Sequence, residues 1–171
     1  MRKIHLVCLY SLFYFSGLAQ KEIKIPAAQY IKISSKDSLV KLPEHIKNQL
    51  SRIFPQENKV NKNLRLLLAK NSKNESMNAG RWIAARQQQD IYQVSLSGLV
   101  SKYIGETEKN LEQVFSRAEA KNWILYFDEA DDLFGKRTET NTAEEQERNK
   151  TIEFFIKKLN GYKGTVLVSC S

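Results

Sequence analysis

A chain of 171 residues can bury one proper core but is short for two. Its formal charge of +8 comes from 27 basic and 19 acidic residues scattered along the sequence, which argues for a solvated surface and against nucleic-acid binding. There is no internal repeat and no low-complexity segment long enough to read as disordered.

The N-terminus stands apart. Met1-Arg2-Lys3 is a basic start, Ile4 to Phe15 is an apolar run broken by His5 and Ser11, and Ser16-Gly17-Leu18-Ala19 offers the small residues of a cleavage site. This pattern predicts a secretory signal peptide over residues 1–19 and export to the periplasm or cell envelope; the alternative is an apolar N-terminal element of a cytoplasmic protein. The run is too short for a stable membrane span. Cleavage would remove Cys8 and leave Cys170 alone, so no internal disulfide framework is expected.

Residues 20–36 read as a linker with one short strand, and residues 37–171 as a single domain. Pro43 suits the first turn of a helix that would place Ile46, Leu50 and Ile53 on one face and stop before Pro55. Leu64 to Ala69 is the first core strand, with Arg65 an irregularity in its apolar run. A helix over Met77 to Arg86 follows, with Met77, Ile83 and Ala84 facing inward and Gly80 weakening it. Ile91 to Leu96 is the second strand. A helix beginning at Glu106 or Thr107 carries Leu111, Val114, Phe115 and Ala118 on its buried face.

The third strand carries the chemistry. Trp123-Ile124-Leu125-Tyr126-Phe127 is apolar without alternation, which suits a strand buried on both faces of a parallel sheet. It stops at Asp128-Glu129, so both acids fall at the carboxyl end, where α/β sheets bind ligands. Thr142-Ala143-Glu144-Glu145 is a capping box opening a helix with Ile152, Phe155, Ile156 and Leu159 inward, ended by Gly161 and Gly164. Thr165 to Cys170 is the fourth strand.

The acidic strand, the segment Ser97-Gly98-Leu99-Val100-Ser101-Lys102-Tyr103-Ile104-Gly105-Glu106-Thr107 ahead of it and Leu133-Phe134-Gly135-Lys136 after it together resemble the AAA family of ATPases. The flavour is nearest to the AAA ATPases that accompany contractile injection systems. The resemblance is fullest from Ile91 to Lys136, continues from Asn149 to Ser171 and is thin over Leu39 to Ala84. It implies an α/β, three-layer P-loop NTPase core with a parallel sheet of about four strands. By resemblance Asp128 would hold Mg²⁺, Glu129 would activate the attacking water, and Ser171 would stand at a polar sensor position. Lys102, Tyr103, Ile104 and Gly105 would form a pore loop that grips extended polypeptide.

The phosphate-binding loop departs from that pattern. A working loop reads G-x-x-x-x-G-K-[ST]. The corresponding stretch is Ala69-Lys70-Asn71-Ser72-Lys73-Asn74-Glu75-Ser76, with Ala69 and Asn74 at the glycine positions and Glu75 at the lysine position. Asn74 can adopt a left-handed conformation. An anion at position 75 instead repels what a lysine would attract, by about 4 kcal/mol at ~4 Å and an effective dielectric of ~20. The sequence also stops before the family's arginine fingers, fifth strand and helical lid, which leaves the first strand as a sheet edge that residues 21–35 could cover. The expectation is an AAA core with a degenerate nucleotide site, weak or absent ATP and Mg²⁺ binding, and a role in binding protein partners, ring subunits of its own type among them. The alternatives are an active subunit that hydrolyses ATP and remodels protein substrates, or a truncated product without a role.

Overall fold

The computed structural model describes residues 27–54, 63–69, 73–101, 103–134 and 142–170. The proposed signal peptide therefore lies outside the described residues. Strands β1 (Ala28–Ile31), β2 (Arg65–Ala69), β3 (Ile91–Ser95), β4 (Ile124–Asp128) and β5 (Val166–Cys170) form a five-stranded sheet in the order β1-β3-β4-β5-β2. Four of them are parallel, and β1 runs antiparallel to β3 at the edge. Helices α1 (Glu44–Ile53), α2 (Lys73–Gln87), α3 (Glu106–Lys121), α4 (Asp131–Phe134) and α5 (Ala143–Gly161) complete the three layers, with one 3-10 turn over Ser35–Leu39. This is the α/β architecture of a P-loop NTPase core.

The layers follow from side-chain alternation along β4, which is buried at all five positions. Ile124 and Tyr126 point to one face and pack with Ile83, Ala84 and Leu50 from α2 and α1. Leu125 and Phe127 point to the other face and pack with Leu111, Phe115 and Phe155 from α3 and α5. Phe127 belongs to an aromatic cluster, its ring 5.6 Å from Phe115 and 5.0 Å edge-on from Phe155. Gly80 lets α2 approach the sheet closely: a Cβ there would stand 3.2 Å from the Tyr126 ring. The residue that weakens α2 in isolation thus permits its docking.

Several elements differ in detail from their sequence reading. On α1 the buried residues at the C-terminal end are Leu50 and Phe54, while Ile53 is exposed. Phe54 meets Trp82 edge-on at 5.9 Å, a contact that outweighs the i, i+3 spacing on which Ile53 was expected. Helix α2 begins four residues earlier than its apolar pattern indicates, at Lys73, so Asn74, Glu75 and Ser76 fall in its first turn. Ile156 on α5 is exposed and Thr151 is buried in its place, its hydroxyl donating to Glu108 on α3. Thr142 caps α5 by accepting from Glu145 N at 3.3 Å, as the capping-box pattern predicts.

The short strand of the linker covers a different edge from the one expected. It pairs with β3, in the register Ala28↔Val94 to Ile31↔Ile91, and leaves β2 as the opposite edge with Leu67 71% exposed. Arg65, the irregularity in β2, has a structural task. Its guanidinium donates to the carbonyls of Leu159, Tyr162 and Gly164, three acceptors at and beyond the carboxyl end of α5. Asp37 ties the 3-10 turn to α2 through Arg81 at 3.0 Å. Burial works against charge on Asp37, but hydrogen bonds from Ser34 and Arg81 outweigh it and hold its carboxyl below the usual range.

Burial pushes the Tyr126 hydroxyl up to about 12, and burial, reinforced by Glu119, does the same for Tyr162. Both phenols stay protonated in the fold after their unfolded counterparts begin to ionise near pH 10. The unfolded state then binds fewer protons, so stability is intact below pH 10 and falls as pH rises toward 12. Urea melts at pH 8, 10 and 11 should show a flat midpoint and then a decline. Phenolate absorbance should show Tyr126 and Tyr162, the two buried phenols raised to about 12, ionising together with unfolding.

Candidate functional site

The carboxyl ends of β3, β4 and β5 and the first turn of α2 converge on one rim of the sheet. Asp128 closes β4 and is 3% exposed; by the alternation that turns Tyr126 toward α2, it lies on the same face. Its Oδ1 accepts from the backbone N–H of Glu129 at 3.1 Å.

Glu129 follows in a left-handed backbone conformation, at φ 60, which costs a residue other than glycine about 1–3 kcal/mol. Its carboxylate turns back over the end of β3, where Oε2 accepts from Ser95 Oγ and from Ser97 Oγ, each at 2.7 Å. The two serine hydroxyls are 2.6 Å apart and converge on the same oxygen. Parallel pairing of Ser95 with Asp128 brings them there. Sequence reading identified the two acids but missed both serines.

Ser76, from the first turn of α2, is 2% exposed. Its hydroxyl and that of Ser169, on β5, flank the Tyr126 hydroxyl inside the sheet–helix layer. Ser76 is thus directed into the protein, away from solvent. Glu75 stands beside it in the helix's first turn, half-buried, with Oε2 shielded from solvent. A helix N-terminus favours an anion there, whether a bound phosphate or this carboxylate.

Of the other expected nucleotide-binding residues, Asn74 is exposed in the same turn. Lys73 opens α2, and Asn71, Ser72 and Ser171 lie outside the described residues. Asp128 lies buried at the end of β4, and the first turn of α2 contributes the Glu75 carboxylate. Among the described residues no group of three or more His, Cys, Asp or Glu side chains could enclose a metal ion.

The predicted polypeptide-gripping loop lies nearby. Tyr103 and Ile104 are 76% and 86% exposed, so neither belongs to the core, and Gly105 caps α3. Lys102 lies outside the described residues. Ser101 fixes the loop's root: its N–H donates to Thr107 Oγ1 at 3.0 Å and its hydroxyl donates to Glu106. Between this loop and the first half of α5 lies a cavity of about 810 Å³, lined by Val100, Tyr103, Ile104, Leu133, Glu147 and Lys150 among others.

Residues 78–171, more than half of the chain, match the family model described as ATPase family associated with various cellular activities (AAA). The chain is similar to the proteasome-activating nucleotidase of Methanosphaerula palustris, 31% identical over 83 residues, or 48% of this chain and 20% of that protein. It is 40% identical over 70 residues to Protein SUPPRESSOR OF K(+) TRANSPORT GROWTH DEFECT 1 of Arabidopsis thaliana, covering 40% of this chain and 16% of that one. With vacuolar protein sorting-associated protein 4B of Mus musculus it shares 43% over 67 residues, 39% of this chain and 15% of the relative. The matched stretch thus spans a fifth or less of each of these proteins.

Proposed function

The chain belongs to the AAA family of ATPases, and from that premise we propose that it is an ATPase core whose nucleotide site has lost hydrolysis and which acts by binding other proteins. The observation that carries this reading is Glu75 in the first turn of α2, where a triphosphate needs a cation. The position of Glu129 supports it. Two serine hydroxyls occupy Oε2 and turn the carboxylate over the end of β3, which supports a resting role for it rather than that of a base aimed at water. The exposed Tyr103–Ile104 pair and the cavity beside it supply an apolar and charged surface that suits an extended polypeptide.

A second reading follows from Asp128 and Glu129, which keep the two acids an active site would use. Under it the chain binds Mg²⁺-ATP despite Glu75 and remodels protein substrates in a ring with others of its type. Among the described residues no helix is long and apolar enough to cross a membrane. Export by the N-terminal segment stays part of the proposal; N-terminal sequencing of the protein from cells tests it, because a chain still beginning at Met1 would discard it.

Titration of a fluorescent ATP analogue with Mg²⁺ into the full chain separates the two readings. The expected result is no saturable binding at micromolar protein and no rise in melting temperature at millimolar ATP. Saturation in the micromolar range, with turnover that disappears in Glu129→Gln, would establish the active enzyme instead.

A further inference from the structure

Strand β1 does more than close an edge. Its first contact with β3 is Ser95 N–H donating to Ala27 O at 2.9 Å, and Ser95 is one of the two residues that hold the Glu129 carboxylate. The turn after β3 is fitted to the strap as well. A Cβ on Gly98 would stand 2.6 Å from the Ala27 Cβ, so the two segments touch where only glycine fits. From there the ladder runs Ala28↔Val94, Gln29↔Gln93, Tyr30↔Tyr92 and Ile31↔Ile91.

The far end is pinned separately. Asp90 accepts from the Tyr30 hydroxyl and from Ile33 N–H, each at 2.8 Å, and the Tyr30 ring lies 4.9 Å from Trp123. One strand thus spans β3 from Asp90 to the Ser95–Gly98 turn, a run of about 17 Å at ~3.4 Å per residue.

We propose that β1 is a positioning strap for Glu129: seated, it fixes the Ser95–Gly98 turn and holds the carboxylate over β3; displaced, it frees the carboxylate to swing toward the rim. Leu96 N–H donates to Asp128 O at 3.0 Å, so the same turn is also joined to the end of β4. Displacement of the strap therefore bears on both acids. The coupling is a property of the chain's own residues and holds whether or not the site turns over nucleotide.

The test reads Glu129 itself. In the full chain with ¹³C-labelled glutamate, the Glu129 carboxyl signal is assigned by its loss in Glu129→Gln. Ser95→Ala/Ser97→Ala then gives the position of a carboxylate without its serine donors. Ala27 and Ser95 form a hydrogen-bonded pair, so by the alternation of an antiparallel ladder Gln29 and Gln93 form the next. Gln29→Pro removes a donor from that pair on an exposed residue two positions from the turn. Asp90→Ala releases only the far end and keeps the test readable should the proline variant not fold.

The expected result is at least tenfold faster amide exchange at Ser95 and Ile31, with the Glu129 signal moved toward that of the double serine variant. Faster exchange with an unmoved Glu129 signal overturns the proposal, since the strap would then be structural only. Unchanged exchange in both variants overturns it equally, because the strap would not be held by this ladder and this anchor.

Discussion

Glu75→Lys should convert a chain indifferent to Mg²⁺-ATP into one that binds it. Position 75 lies in the first turn of α2, where the helix dipole and free N–H groups already favour phosphate. On the proposed reading, what opposes binding there is the carboxylate. Replacing one charge by the other removes a repulsion and adds an attraction, each about 4 kcal/mol at ~4 Å and an effective dielectric of ~20. Half of that swing is already on the order of a thousandfold in affinity. Isothermal titration of both proteins at low and high salt is the measurement. The variant should bind with micromolar affinity that weakens as salt rises, while the parent shows no heat of binding. Glu75→Gln is the necessary companion. If it binds as tightly as the lysine variant, relief of repulsion is the whole effect, and the missing cation matters less than the surplus anion.

Phe127→Ala should come close to unfolding the domain. The side chain is fully buried on β4 and touches the rings of Phe115 and Phe155. Truncation of a buried phenylalanine costs about 3–5 kcal/mol in lost transfer energy and residual cavity. Against a typical total of about 5–15 kcal/mol, that is a large share. Urea denaturation should show the midpoint falling sharply with the slope unchanged. The helices α3 and α5 meet β4 through this ring, so their amide protection should fall together. Loss of protection in α3 alone would mean that the two helices dock independently.

The legible parts of the sequence were those governed by one local rule. The five-residue apolar run ending in Asp128-Glu129 suits a strand covered on both sides, and it became β4. Thr142 with Glu145 announced the start of α5. The parts that were misread depend on a second segment. Phe54 displaced Ile53 from the core because Trp82, on another helix, stands opposite it. The first turn of α2 looked like loop because Lys73-Asn74-Glu75-Ser76 has no apolar period, although the buried Ser76 sits four residues before Gly80 on the same face. Ser95 and Ser97 lie 34 and 32 residues from Glu129, and no spacing rule joins them. Only the parallel pairing of Ser95 with Asp128 does so. A reader could have found them by writing β3 beside β4 with both strands ending together.

The antiparallel direction of β1 has a practical consequence for attachment. A parallel strand at that edge would admit the chain at the opposite end of the sheet, beside Asp90 and Trp123. Because β1 runs the other way, Ala27 stands beside Ser95, at the rim that holds Asp128 and Glu129. Any dye or tether attached at Ala27 is therefore an occupant of that rim. A label meant to report on the acids belongs there, and a purification handle meant to leave them alone does not.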